Sequence, residues 1–377
     1  MVEFPLCAKR QHHTRVTAAA DPSNSAPAPA VTAEGEAFPS APTRLRYVDQ
    51  PAPAPGQSVA IAPGVRWGRI PLPLDLNHIN VWLIDTAAGC IVVDTGMAAS
   101  IGKDAWEAIE RDYFSQQPLR AVFVTHIHPD HIGLAGWLQE RHGVPVLMSQ
   151  RTHELANIML GDKGVAIASE FFRSHGLSDV AQIQAMFNPE RFLRMSSGMP
   201  RVERFIADSE VIRWGAGAWS ALETNGHAEG HLCLSNPALR VLISGDQVLP
   251  TISSNISFMF GNGDPNPLGS YLASLQRLRT LPEDTLVLPS HGVPFRGLQQ
   301  RIDDLSGHHL EQLEKLAVIC IEPKAAIELL PLMFRRELKG MHLFLAIGEA
   351  LAHLEYLVCA GRLRRDSSAG VVRYIAG

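Results

Sequence analysis

The residues most able to do chemistry are crowded into Thr125-His126-Ile127-His128-Pro129-Asp130-His131. His126 and His128 stand two apart at the end of an apolar run, and in extended chain that spacing turns both imidazoles to one side. Asp130 and His131 follow at a turn that leads into a helix from Gly133. Four nitrogen and oxygen donors in six residues sit badly in an apolar core, where unpaired polar groups are costly to bury. A metal ion satisfies them all at once. The plainer reading is a set of hydrogen-bonded histidines at a helix start.

Three later junctions strengthen the metal reading. Gly226-His227-Ala228-Glu229-Gly230-His231 follows a strand-like stretch, Ser244-Gly245-Asp246 follows Val241-Leu242-Ile243, and Pro289-Ser290-His291-Gly292 follows Leu286-Val287-Leu288. Each alone has the composition of a turn. Four such junctions on one layered domain can bring their loops together at one end of a sheet.

The elements that must position these residues follow from period and punctuation. Val65 to Ile70, His78 to Asp85, Cys90 to Asp94, Arg120 to Thr125 and Pro145 to Met148 read as strands. Helices are expected over Ser100 to Tyr113 and Gly133 to Arg141. This alternation indicates an α/β layered domain over 59–297. Residues 150–200 look helical, with pieces at 167–175 and 180–187, and are a candidate lid. Strands resume at 210–214, 220–224, 231–235, 240–244 and 285–288, with a helix at 268–281. After 297, three helices (301–319, 323–330, 343–359) and a terminal hairpin suggest a small domain over 298–377. Residues 1–58, rich in Ala, Pro and Ser, read as a disordered leader.

Composition sets the outer limits. The 377 residues suffice for a substantial core, and 38 acidic against 33 basic side chains give a net charge of -5. That balance argues against non-specific nucleic-acid binding, which needs a positive footprint. Five scattered cysteines without a CxxC argue against both a disulfide scaffold and a thiolate metal site. No apolar run approaches a membrane span, and the first residues lack the apolar stretch of a secretory signal, so a cytoplasmic location is expected.

With these residues in view, the chain resembles the metallo-β-lactamase-fold hydrolases, especially their glyoxalase-II-like branch. The HxHxDH motif is His126, His128, Asp130 and His131, and the later ligands of that family match His227, Asp246 and His291. The resemblance implies an αββα sandwich and two divalent metal ions. His126, His128 and His227 would hold one, Asp130, His131 and His291 the other, and Asp246 would bridge them. Leu76-Asn77-His78-Ile79-Asn80 and Asp94-Thr95-Gly96 match the opening of this branch. Gly245 to Pro250 and the His308-His309 pair point to a subgroup with a winged-helix-like C-terminal domain. Ala228 departs from the pattern, where related chains often carry Ser or Thr. Zinc suits the donor set best, and iron and manganese accept it too.

The expected chemistry is attack by a hydroxide activated at the binuclear centre, with Asp130 both a ligand and an orienter of the nucleophile. A small-molecule thioester or other carboxylic ester is the leading substrate class. Lactone or phosphodiester hydrolysis, including RNA cleavage, and a non-catalytic interaction role are the alternatives, and the sequence leaves a homo-oligomer open. Around the ligands, Asp94 and His231 are expected to support the metal loops. His78, Asn255 and Arg296 are candidate substrate contacts.

Overall fold

The structure, a computed structural model, describes residues 45–160, 164–215, 217–261, 263–335 and 337–377. Two seven-stranded sheets form its centre. One runs in the order 58–62, 65–71, 78–86, 89–93, 119–123, 146–148, 202–205. The other runs 46–47, 295–296, 286–289, 241–245, 231–236, 217–224, 211–214. Strand His78–Thr86 shows how sequence places these layers. Its Trp82 and Ile84 join the core between the sheets, while Ile79, Val81 and Leu83 face the helices outside. Being buried on both faces, it reads as a near-continuous apolar run.

The inter-sheet core packs Trp67, Trp82 and Phe123 against Trp219, Leu234 and Ile243. Helices Ser100–Ile109 and Ala135–His142 cover the first sheet, and Pro267–Arg279 and Leu298–Ile319 the second. The molecule is therefore the four-layer αββα sandwich, with a C-terminal helical region. The first helix ends earlier than expected, at Ile109, and continues as a π-helical turn over Glu110–Phe114.

Two features place the site. Within each sheet some strands run parallel (89–93 with 119–123, and 241–245 with 286–289), so their C-terminal ends open on the same edge. The two sheets are also tied together there, by Leu232 N–H to the Thr125 carbonyl at 2.9 Å and Asn80 N–H to the Ser290 carbonyl at 2.6 Å.

The leader expected over 1–58 is cut short. Arg46–Tyr47 form an edge strand antiparallel to Phe295–Arg296, a pairing too brief to leave any periodicity in a Pro-rich stretch. Residues 1–44 lie outside the described residues. The 150–200 segment contains helices Gln150–Leu160, Gly164–Ser174, Val180–Phe187 and Pro189–Met195. The C-terminal region runs helix Leu298–Ile319, strand Lys324–Ala325, helices Ala326–Met333 and Met341–Cys359, then hairpin Leu363–Asp366 and Arg373–Ala376. It shares one core with the sandwich, in which Val287, Leu272 and Phe295 join Leu305, Phe344 and Leu351.

Helix Met341–Cys359 is long and apolar enough to cross a membrane, although His342, Glu349, His353 and Glu355 interrupt its apolar run. Most of it is buried inside the protein, with His353 and Glu355 among its buried residues, so it is a core helix here. Cys90, Cys233 and Cys320 are buried free thiols, while Cys7 lies outside the described residues.

Candidate metal centre

All seven sequence-derived ligands meet at one sheet edge. Strand Leu119–Phe123 delivers Thr125 and His126, and the short helix Pro129–Ile132 carries Asp130 and His131. Asp246 and His291 lie just past the parallel strands 241–245 and 286–289, whose register shifts at Gly245. Gly245 has φ +52°, and a Cβ there would lie 2.3 Å from His231 Nε2, so only glycine fits this close approach.

The donor atoms fall into two groups, each with its atoms within 4.8 Å of one another. One group is His126, His128, His227 and Asp246, and the other is Asp130, His131 and His291. Asp246 faces both, with its carboxylate oxygens 3.5 Å from His227 Nε2, 3.4 Å from His131 Nε2 and 3.5 Å from His291 Nε2.

The protein fixes the ring orientations from behind. His131 donates from Nδ1 to Asp94 at 2.8 Å, His291 to the His78 carbonyl at 2.8 Å, and His227 to the Asn255 carbonyl at 2.9 Å. Each bond leaves the Nε2 lone pair turned inward, the tautomer a metal ligand requires. Thr125 locks Asp94 in turn, through its N–H and hydroxyl, each at 2.8 Å from the carboxylate. Asp94 itself has φ +61°, a strained conformation that Asp tolerates better than most residues.

The residues fit a metal. The Nε2 atoms of His131 and His291 and Oδ1 of Asp246 are buried without a hydrogen-bond partner. His126 Nε2 and His128 Nδ1 lie 2.9 Å apart, a separation that calls for a proton or cation between them. Charge divides the two groups. Burial and the surrounding imidazoles push His126 well below its ordinary pKa and His128 to about 3. Burial opposes charge at His291 as well, yet Asp246 and Asp130 raise it to about 10. Asp246, Asp94 and Asp130 likewise overcome burial to raise His131. Burial works against the Asp130 carboxylate, but His131 and His291 hold its pKa down at about 2. This carboxylate-rich half needs positive charge, which protons supply when no metal does.

The other sequence-derived candidates are sorted by contact. His231 is no inward ligand, since its Nε2 accepts from Asp246 N–H at 3.2 Å and its Nδ1 bonds the Thr224 hydroxyl at 2.9 Å. His78 flanks the site, its Nε2 accepting from Gly292 N–H at 3.2 Å. Burial, then Arg69 and His291, lower its pKa to about 4. Asn255 reaches the centre through its backbone. Its amide nitrogen is engaged with Glu349 at 3.1 Å, and its amide oxygen accepts from Ser257 at 2.6 Å. Arg296 is turned away, and its guanidinium donates to the Asp284 carbonyl.

Two supporting residues escaped sequence reasoning. Thr125 was seen only as a motif boundary. Arg301, nearly wholly buried, donates to the carbonyls of Leu249 at 2.6 Å and Ile252 at 2.7 Å. It thereby braces the loop between Asp246 and Asn255. A lone arginine in a helical stretch carries no local sign of such a role.

A buried edge site with two adjoining His/Asp groups defines a metal-dependent hydrolase with a binuclear divalent-metal centre. The chain belongs to the metallo-beta-lactamase superfamily, whose description matches residues 74–291. Residues 313–376 match the metallo-beta-lactamase-like C-terminal domain. A crystal structure of a beta-lactamase domain protein from Burkholderia ambifaria is similar at 39% identity and TM-score 0.81, covering 89% of this chain and 98% of that one. The probable metallo-hydrolase YqjP of Bacillus subtilis is 25% identical over 77% of this chain and 90% of its own length. The acyl-coenzyme A thioesterase MBLAC2 of Gallus gallus is 28% identical, over 57% and 73% respectively.

Proposed function

We propose that this chain hydrolyses a small-molecule thioester or other carboxylic ester, as a member of the glyoxalase-II-like branch. The observation that carries the reading is Asp246 facing both groups of inward-turned imidazoles. In the proposed assignment His126, His128 and His227 would hold one ion and Asp130, His131 and His291 the other, with Asp246 available to both. Zinc is the proposed ion, because the set is dominated by imidazoles, five against two carboxylates, a donor mix that iron and manganese also accept. Bound there, two such ions supply an activated water and electrophilic assistance to the carbonyl under attack.

The protein's own residues do the rest. Asp94, His78 and Asn255 keep three imidazoles aligned. Asp130, ionised and with its side chain only 17% exposed, would orient the attacking water through its carboxylate. The 150–200 helices are proposed as a wall of the cleft. Arg151 supports that role, bonding Glu229 at 2.7 Å beside His227 and the Gly261 carbonyl at 3.2 Å. The helix–strand–helix–helix–hairpin order of the C-terminal region supports a winged-helix-like reading. The thioesterase named among the relatives favours a thioester over the other bonds.

The test is a hydrolysis panel of acyl thioesters, lactones, phosphodiesters and short RNA, using metal-loaded protein with His128→Ala as control. Thioester turnover that disappears in the control is the expected result. Cleavage of RNA or phosphodiesters with thioesters left intact would overturn the proposal.

A further inference from the structure

We propose that the mouth of this centre is an apolar acyl-binding rim, and that the C-terminal helix Met341–Cys359 forms its wall. This rests on the ester and thioester reading above and names the acyl side of the substrate as an extended hydrocarbon chain.

The wall is placed by contacts at both ends. At one end lies the 72–77 loop, which leads into His78 and so to His291. His342, in the first turn of the helix, pairs with Asp75 of that loop at 3.5 Å. At the other end lies the Asn255 loop, whose carbonyl holds His227. The Asn255 amide donates to the Leu345 carbonyl at 3.4 Å and to Glu349 at 3.1 Å. His342, Leu345 and Glu349 are spaced three and four apart, which places them on one helix face. That face therefore bridges two loops that each orient a candidate ligand.

The rim is apolar where it meets solvent. Leu74 is 48% exposed, Leu76 41% and Met341 39%; the two leucines flank Asp75 in the chain and Met341 precedes His342, so all three adjoin the His342–Asp75 contact. Single exposed leucines need no explanation, but three large apolar side chains beside one contact between the 72–77 loop and this helix do. The charges nearby do not suit a polyanion. Asp75 and Glu349 are carboxylates, and Arg69, beside the His291 loop, is engaged with the Gly292 carbonyl at 3.2 Å and Asn80 at 3.3 Å. Lys339, two residues before Met341, is paired with Glu337 at 2.9 Å and so offers a nucleic-acid strand little, whereas a hydrocarbon chain would cover the leucines.

The experiment compares acetyl, butyryl, hexanoyl and decanoyl thioesters of one thiol in metal-loaded wild type and in the Leu74→Ser/Leu76→Ser double variant. Wild-type kcat/KM is expected to rise by about fourfold per methylene until the rim is covered. The double variant should lower the decanoyl value by about tenfold or more and leave the acetyl value nearly unchanged. In parallel, a fluorescent dodecanoate is titrated into the same metal-loaded protein, where its affinity should fall in the double variant. A flat chain-length profile in active wild type, or equal losses on acetyl and decanoyl substrates, would overturn the rim. If no thioester of any length turns over, the functional reading fails, and the dodecanoate titration then decides the rim alone. Weaker binding by the double variant supports it, and equal binding overturns it.

Discussion

Asp94 and Thr125 show how much of a metal site lies behind its ligands. Asp94 bonds His131 while held by the Thr125 backbone and hydroxyl. Partners of this kind commonly contribute 10–100-fold to metal affinity. Asp94→Asn and Thr125→Val are each expected to weaken metal binding by about that factor without unfolding the chain. Competition against a chromophoric chelator measures it, and wild-type affinity in both variants would refute the support role. Removing a ligand is harsher. Asp246→Ala should lose bound metal and turnover together, because Asp246 is the carboxylate both groups share. Elemental analysis that still finds two ions per chain in an active Asp246→Ala protein would sink the assignment. At this scale the sequence was informative, since ligand chemistry is written in residue type and spacing. Arg296 was legible only as a charge near His291, and its backbone partner at Asp284 lies in the fold.

The helices Leu298–Ile319 and Met341–Cys359 meet at a buried histidine pair, His309 Nδ1 and His353 Nε2, 3.2 Å apart. Burial lowers His353 to about 4 and, with His353 and His308 adding to it, lowers His309 well below its ordinary value. Both rings are therefore neutral in the folded chain near neutrality. Below pH about 6.5 the unfolded chain takes up protons that the folded chain refuses, so stability falls as pH drops toward 4. Each histidine steepens that fall by up to about 1.4 kcal/mol per pH unit. Denaturant melts between pH 7 and 4.5 should show a shallower fall in His353→Gln than in wild type. Parallel slopes would remove the pair as the cause. The elements themselves were largely legible. Strands 65–71 and 78–86 and helix 341–359 lie within two residues of expectation, because apolar period is a local property. Strand Arg46–Tyr47 was not, since two residues carry no period.

Across the whole molecule, the C-terminal region is part of one core. Leu305, Phe344 and Leu351 are wholly buried with Leu272, Val287 and Phe295 of the catalytic part. Removing residues 298–377 would uncover that face, so the shortened chain is expected to aggregate and bind no metal stoichiometrically. A soluble, monomeric, metal-binding 1–297 chain would show that the two parts fold separately. The same continuity explains why a C-terminal helix can stand at the catalytic mouth: its apolar face is anchored beneath, leaving His342, Leu345 and Glu349 to reach the loops.

By itself the sequence determined which side chains could hold metal, and on which strands and turns they stand, because donor chemistry and backbone period are local. Tertiary structure decided the rest. Asn255 orients His227 with its carbonyl and Arg301 braces the Asp246 loop. Arg296 faces away, and the Asn255 side chain ties its loop to the C-terminal helix. The HxHxDH ligands and His227 stand about a hundred residues apart and meet only because two sheets open on one edge. Hydrogen bonds between such distant segments leave no period or composition for a sequence to reveal.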